Sequence, residues 1–145
     1  MIPDFAPGQR WQYRTRSGEE ASRLLILKLE EVEGAQVAHL WIEGLAMKTP
    51  QAVYPVLGHA PISIKSLAES VTSLEAEHLP LPSDESSLEE WRTAYKRGEA
   101  GMFTWGVAGL ARQMERAISA EEIRQMPFQK SILERFRAFF RALKR

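Results

Sequence analysis

Residues 22–45 constrain this chain more than any other stretch. They read SRLLILKLEEV, then EG, then AQVAHLWIEGL. Two long apolar-rich runs flank a two-residue Glu33-Gly34 turn, which is the signature of an antiparallel β-hairpin. A two-residue turn pairs Val32 with Ala35, and every other cross-strand neighbour follows from that pairing. In this register Leu25, Leu27 and Leu29 lie beside Ile42, Leu40 and Ala38. That face is wholly apolar and is expected to be core. The other face carries Leu24, Ile26, Lys28 and Glu30 beside Glu43, Trp41, His39 and Val37, an aromatic and aliphatic centre with a polar border.

The hairpin extends upstream. In RWQYRTR, Trp11, Tyr13 and Thr15 alternate with Arg10, Gln12, Arg14 and Arg16, the period of two of a strand, and SGEE turns the chain. Strands are therefore expected at about 10–16, 22–32 and 36–45. Residues 46–61 contain three prolines and read as a connecting loop. From there the period lengthens. Ser63 is a candidate N-cap for a helix over 63–77, with Ile64, Leu67, Val71 and Leu74 on one side. A second helix, 87–97, opens at Ser86 or Ser87 with Glu89 and Glu90 placed as in a capping box. Its stripe is Leu88, Trp91 and Tyr95, and Gly98 ends it. Residues 99–106 fit either a short strand or a helix start. A third helix covers 105–118, and Ser119 with Glu122 opens a short fourth over 119–126, which Pro127 ends. The expected fold class is α+β: a three- to four-stranded antiparallel meander packed on three to five C-terminal helices, with 1–127 as the core domain.

A chain of 145 residues is one domain by default. It contains no cysteine, which removes disulfides, thiolate metal sites and cysteine nucleophiles, and fits a reducing, cytoplasmic setting. The first residues, MIPDFAPGQRW, lack the basic and apolar regions of a secretory leader, and no apolar run has the length of a membrane span.

The zero net charge conceals a split. Residues 128–145 hold six Lys/Arg and one Glu; from totals of 19 and 19, that leaves 13 basic and 18 acidic residues in 1–127. Residues 69–91 contain seven acids and no Lys or Arg. Such asymmetry points to a charged partner, or to docking of the tail on the body.

The tail, KSILERFRAFFRALKR, reads as a basic amphipathic helix over 128–145. Phe136, Phe139 and Phe140 fall on its apolar side, and Arg137 and Arg141 on its polar side. A wide apolar stripe needs burial. Docking on its own domain or on a second subunit is favoured over a membrane surface, a minor role that its basic and aromatic faces would also suit. Nucleic acid is not expected, because the phenylalanines would be left over and the acidic body would repel a duplex.

Four stretches, PGQRWQYRTRSGEEAS (7–22), VAHLWIEGL (37–45), GHAPISIKSLAESVTSLE (58–75) and WRTAYKRGEAGMFTWGVA (91–108), resemble bacterial conserved hypothetical proteins of unknown function. The resemblance covers about residues 7–108. It implies a single bacterial cytosolic domain and carries no activity across.

Chemistry-bearing residues are few. His39, His59 and His78 show no metal-ligand spacing, so neither a metal nor a cofactor is expected. No G-x-S-x-G, phosphate loop or G-x-G-x-x-G occurs, and no catalytic residue is assigned. Arg14, Arg16, His39, Trp41, Glu43 and His59 remain as binding candidates: paired arginines clamp carboxylate or phosphate, and histidine beside carboxylate serves acid–base work. The favoured function is a non-catalytic protein-interaction or binding domain, with a protein partner or a second copy in a homodimer. The alternative is a small enzyme or ligand-binding domain with a polar pocket built from the sheet and the 58–61 loop.

Overall fold

The computed structural model describes residues 2–125. The proposed helix 128–145, with Phe136, Arg137, Phe139, Phe140 and Arg141, lies outside them. The fold is α+β, built on an antiparallel sheet. Among the described residues the elements run β1 (Arg10–Tyr13), β2 (Arg23–Val32), β3 (Ala35–Lys48), β4 (Val53–Ser63), α1 (Ile64–Ser70), β5 (Val71–Ala76), α2 (Ser86–Lys96) and α3 (Val107–Gln125). The five strands lie in the order β4-β3-β2-β1-β5.

The β2–β3 hairpin turns at Glu33-Gly34, both at positive φ (52° and 83°), the mirror-image turn that matches strand twist. Val32 pairs with Ala35 and Leu29 with Ala38. Between Lys28 and Ile26 the register slips, leaving Leu27 as the extra residue of a β-bulge. Beyond the bulge Ile26 faces Leu40 and Leu24 faces Ile42. A one-residue slip exchanges the faces of a strand. The core face therefore holds Leu24 and Ile26, both fully buried, in place of the expected Leu25 and Leu27.

Four further expectations are corrected. The 46–61 loop is mostly strand: β3 runs on to Lys48, and β4 takes up Val53–Ser63 with Pro55 and Pro61 inside it. Proline removes a ladder donor, and β4 is an edge strand, where that loss is tolerated. The 63–77 helix stops at Ser70. Val71 turns to extended geometry (φ −71°, ψ 149°), and β5 pairs with β1 because β1 would otherwise be an open edge. The strand expected over 10–16 ends at Tyr13, where the Arg14 N–H turns to Ser70 O (3.0 Å). The helices expected at 105–118 and 119–126 are one helix, α3, running through Ser119. Glu122 does not cap; its carboxylate instead accepts from the Thr49 hydroxyl (2.7 Å), the Gln51 N–H (3.2 Å) and the Tyr54 hydroxyl (3.1 Å). The ambiguous 99–106 stretch makes a single parallel bridge, Phe103 to Ile62.

Both faces of the sheet are covered. On one, α3 and α1 bury Val107, Leu110, Ala111, Met114, Ile118 and Leu67 against Leu24, Ile26, Leu40, Ile42, Leu57 and Ile62. Each such side chain contributes about 1.5–3 kcal/mol on burial, so this layer dominates stability. On the other face α2 and its flanks pack Trp91, Ala94 and Ala100 against Val32 and Val37. The N-cap position of α2 falls just before the helix on Glu85, which makes no side-chain cap bond; neither Ser86 nor Ser87 acts as cap, and Asp84 Oδ1 instead accepts the Ser86 N–H (2.9 Å). The sheet thus separates a large apolar layer from a smaller mixed one.

Candidate functional site

The mixed face owes its chemistry to side chains from three strands and one helix. Lys28, Glu30 and His39 lie beyond the Leu27 bulge, where Glu30 pairs with Val37 and Lys28 with His39. A second irregularity sets Gly58 and His59 of β4 opposite Trp41 alone, between the Leu40–Ala60 and Ile42–Leu57 pairs. That bulge brings His59 to the His39 side of the sheet. Trp91 of α2 then closes over His39, edge to face, with ring centroids 4.9 Å apart.

A continuous hydrogen-bonded chain results. Arg92 donates to Glu30 Oε2 through Nη2 (2.8 Å) and Nε (3.3 Å). Glu30 Oε1 lies 2.8 Å from His39 Nε2, and His39 Nδ1 lies 2.7 Å from His59 Nε2. His39 is fully buried and His59 is 4% exposed. The carboxylate can only accept, so His39 carries its proton on Nε2. A neutral His39 then offers Nδ1 as acceptor, so His59 donates from Nε2 and keeps an acceptor at Nδ1.

The electrostatics agree with two neutral rings. Burial pushes the His39 pKa down, against the pull of Glu30. Burial beside His39 pushes His59 from 6.5 to about 3. Burial raises Glu30, but its bonds from Arg92 and His39 outweigh that and hold it below the usual carboxylate range. The charge beside the rings therefore sits on Glu30, Arg92 and Lys28, and the rings serve as fixed dipoles.

His59 forms part of the wall of a cleft of about 250 Å³. Its other walls are Leu27, Trp41, Gly58, Leu81, Pro82 and Leu88, with Asp84, Glu85 and Ser87 at the start of α2. Trp41 passes 3.5 Å from the point where a Gly58 Cβ would stand, an ordinary contact distance, so the indole lies directly against β4 at Gly58. Past Trp41 a second cleft of about 260 Å³ is lined by Arg10, Arg23, Glu43, Leu79 and Pro80, among others. Arg10 and Arg23 are both paired with Glu75, at 2.9 and 2.6 Å.

Of the binding candidates, His39, His59 and Trp41 come together. Glu43 is exposed and reaches only the second cleft. Arg14 is exposed and donates to Glu69 O (3.0 Å). Arg16 is tied at 2.7 and 2.8 Å to buried Glu19, whose Oε2 also accepts the Ala46 N–H (2.6 Å). That clasp is structural: burial would raise the Glu19 pKa, yet these bonds keep it low. His78 is exposed, at positive φ (58°), and not beside the other two histidines. Glu30, Arg92 and Trp91 were missed. Glu30 was legible in principle, since it shares a face with His39 in either register; Arg92 and Trp91 arrive by tertiary packing alone. Among the described residues no cluster of three or more His, Asp or Glu side chains forms a metal site. No helix among them is long and apolar enough to cross a membrane.

Fold and site together define an α+β domain whose antiparallel sheet carries an apolar core on one face and a histidine-lined cleft on the other. Comparison with known proteins adds no relative: no family model, no curated protein and no solved structure matches this chain.

Proposed function

We propose that this chain is a non-catalytic binding domain that seats a small ligand in the cleft between β4, Trp41 and the start of α2. The observation that carries this reading is the wiring behind the wall. His59 is held through His39 and Glu30 to Arg92, so the ring facing the ligand is fixed by three other side chains. Such preorganisation lowers the ordering cost of binding. Apolar walls with a few converging polar groups are the usual composition of a ligand site.

The same wiring argues against catalysis. A general base works best with a pKa near the operating pH, and His59 at about 3 is too weak a base for that role. Glu30 is already occupied by Arg92 and His39. The direct test fills the cleft. The Gly58 backbone lies outside the left-handed region, and a Cβ there would meet Trp41 at ordinary contact distance (3.5 Å). The rest of the side chain in Gly58→Leu then enters the cleft beside Trp41 and closes the site, with an unchanged Tm checking that the variant folds. Fragments detected by ligand-observed NMR on the natural chain should lose their signal on Gly58→Leu; unchanged binding would refute the reading.

A second reading, pairing of two copies along β5, is supported by one observation. The two edges of the sheet are unequally guarded. β4 carries Pro55 and Pro61, whereas β5, VTSLEA, contains neither proline nor lysine. A light-scattering mass tests it: Ser73→Pro should convert a dimer to a monomer, and a natural chain that is already monomeric at high concentration rules it out.

A further inference from the structure

Resting on the cleft reading above, we infer that the ligand is an organic cation with an aromatic or branched apolar body, of fragment or small-metabolite size. Size comes first. A cleft of about 250 Å³ falls just below the range of roughly 300–1,000 Å³ that holds drug-sized molecules. The wall chemistry comes next. Trp41, Leu27, Leu81, Pro82 and Leu88 present an indole and four aliphatic groups, which favour a flat or branched apolar body.

Charge decides the remaining end. No Lys or Arg lines the cleft, while Asp84 and Glu85 do. Asp84 is partly spent on the Ser86 N–H, a bond that also holds it below its ordinary pKa and keeps it ionised. Glu85 is the residue before α2, yet its side chain makes no cap bond, so the helix does not use it. The amino end of α2 opposes this preference, because a helix N-terminus carries roughly +0.5 charge and attracts anions. Two full carboxylates exceed that half charge. Beyond Asp84 and Glu85 the stretch 69–91 holds five more acids and no Lys or Arg; Glu75 is paired with Arg10 and Arg23, and Glu69, Glu77, Glu89 and Glu90 add a long-range field of the same sign. His59 contributes no opposing charge, since its ring is neutral. An ammonium or guanidinium near Asp84 and Glu85, with its apolar body against Trp41, satisfies all of these at once.

The test uses three probes on the same phenylethyl body: 2-phenylethylammonium, 2-phenylethanol and 3-phenylpropionate. Affinities are read by chemical-shift titration on the full chain. The expected order is cation first, alcohol second, and carboxylate weakest. Glu85→Gln should weaken the cation about two- to fivefold, the fold-change of an exposed ion pair, and leave the alcohol unchanged. Added salt should narrow the gap between cation and alcohol. An alcohol that binds as well as the cation, or a Glu85→Gln variant that keeps the full preference, overturns the charge assignment while leaving the cleft reading intact. Failure of all three probes to bind overturns the cleft reading itself.

Discussion

Lowering the pH should destabilise this protein well before its carboxylates titrate, and the structure sets the size of the effect. His59 has an ordinary pKa of 6.5 when unfolded and about 3 when folded. The unfolded chain therefore binds a proton below about pH 6.5 that the folded chain refuses, and stability must fall as pH falls. Each refused proton costs about 1.4 kcal/mol per pH unit. Between about pH 6.5 and 4.5, His59 alone removes about 2–3 kcal/mol. His39 is shifted the same way by its burial and adds to the slope. Glu19 and Glu30, both held below their ordinary 4.5, add their own loss only at lower pH, so this window belongs to the histidines. For a chain of 145 residues the loss from His59 corresponds to a fall in Tm of roughly 7–10 °C. The assay is urea unfolding at several pH values on the natural chain and on His59→Asn. The substitution should reduce the slope by about one proton's worth, 1.4 kcal/mol per pH unit. Should His59→Asn fail to fold, the imidazole resonances of the natural chain give the same information, because the His59 ring should not titrate above about pH 4. A stability that is flat from about pH 7.5 to 4.5, or an unchanged slope in the variant, would refute the claim that the ring is buried neutral.

Other perturbations act through separate contacts. Trp91 is fully buried over His39 and bonds Gly101 O at 2.8 Å; Trp91→Ala should cost about 3–5 kcal/mol in chemical unfolding and expose His39 to titration. At Gly44 (φ 73°) an added Cβ would stand 2.9 Å from the Ser22 Cα, a backbone atom that cannot yield, so Gly44→Ala should cost more than about 2 kcal/mol by the same measurement. Glu33 occupies positive φ (52°) at the hairpin turn without benefit, and Glu33→Asn should stabilise by about 0.5–1 kcal/mol, visible as a higher Tm.

The sequence made the hairpin legible because its turn is local. Glu33-Gly34 fixes the Val32–Ala35 pair without help from the rest of the chain. The bulge at Leu27 was not legible: Leu24, Leu25, Ile26 and Leu27 are all apolar, so nothing along the run marks where the faces exchange. β4 was hidden by its prolines, which argue against a strand unless its edge position is known. β5 was hidden because Ile64, Leu67, Val71 and Leu74 keep helical spacing; only the open edge of β1 turns Val71–Ala76 into a strand. The site divides along the same line. His39, Trp41 and His59 stood out as unusual residues, whereas Arg14 and Arg16 were equally conspicuous and tie elements of the fold together, Arg14 to Glu69 O and Arg16 to Glu19 and to Glu115 of α3. Trp91 and Arg92, which complete the wiring, carry no sequence signal beyond a helix stripe and one more charge.

The most direct test of the binding account is to map where a ligand lands. Amide and indole chemical shifts should be followed while 2-phenylethylammonium is titrated into the full chain. The account predicts perturbations gathered on Leu27, Trp41, Gly58, His59, Glu85 and Leu88. Perturbations that gather instead on the α3 face of the sheet, or that scatter over the surface without saturating, would contradict it.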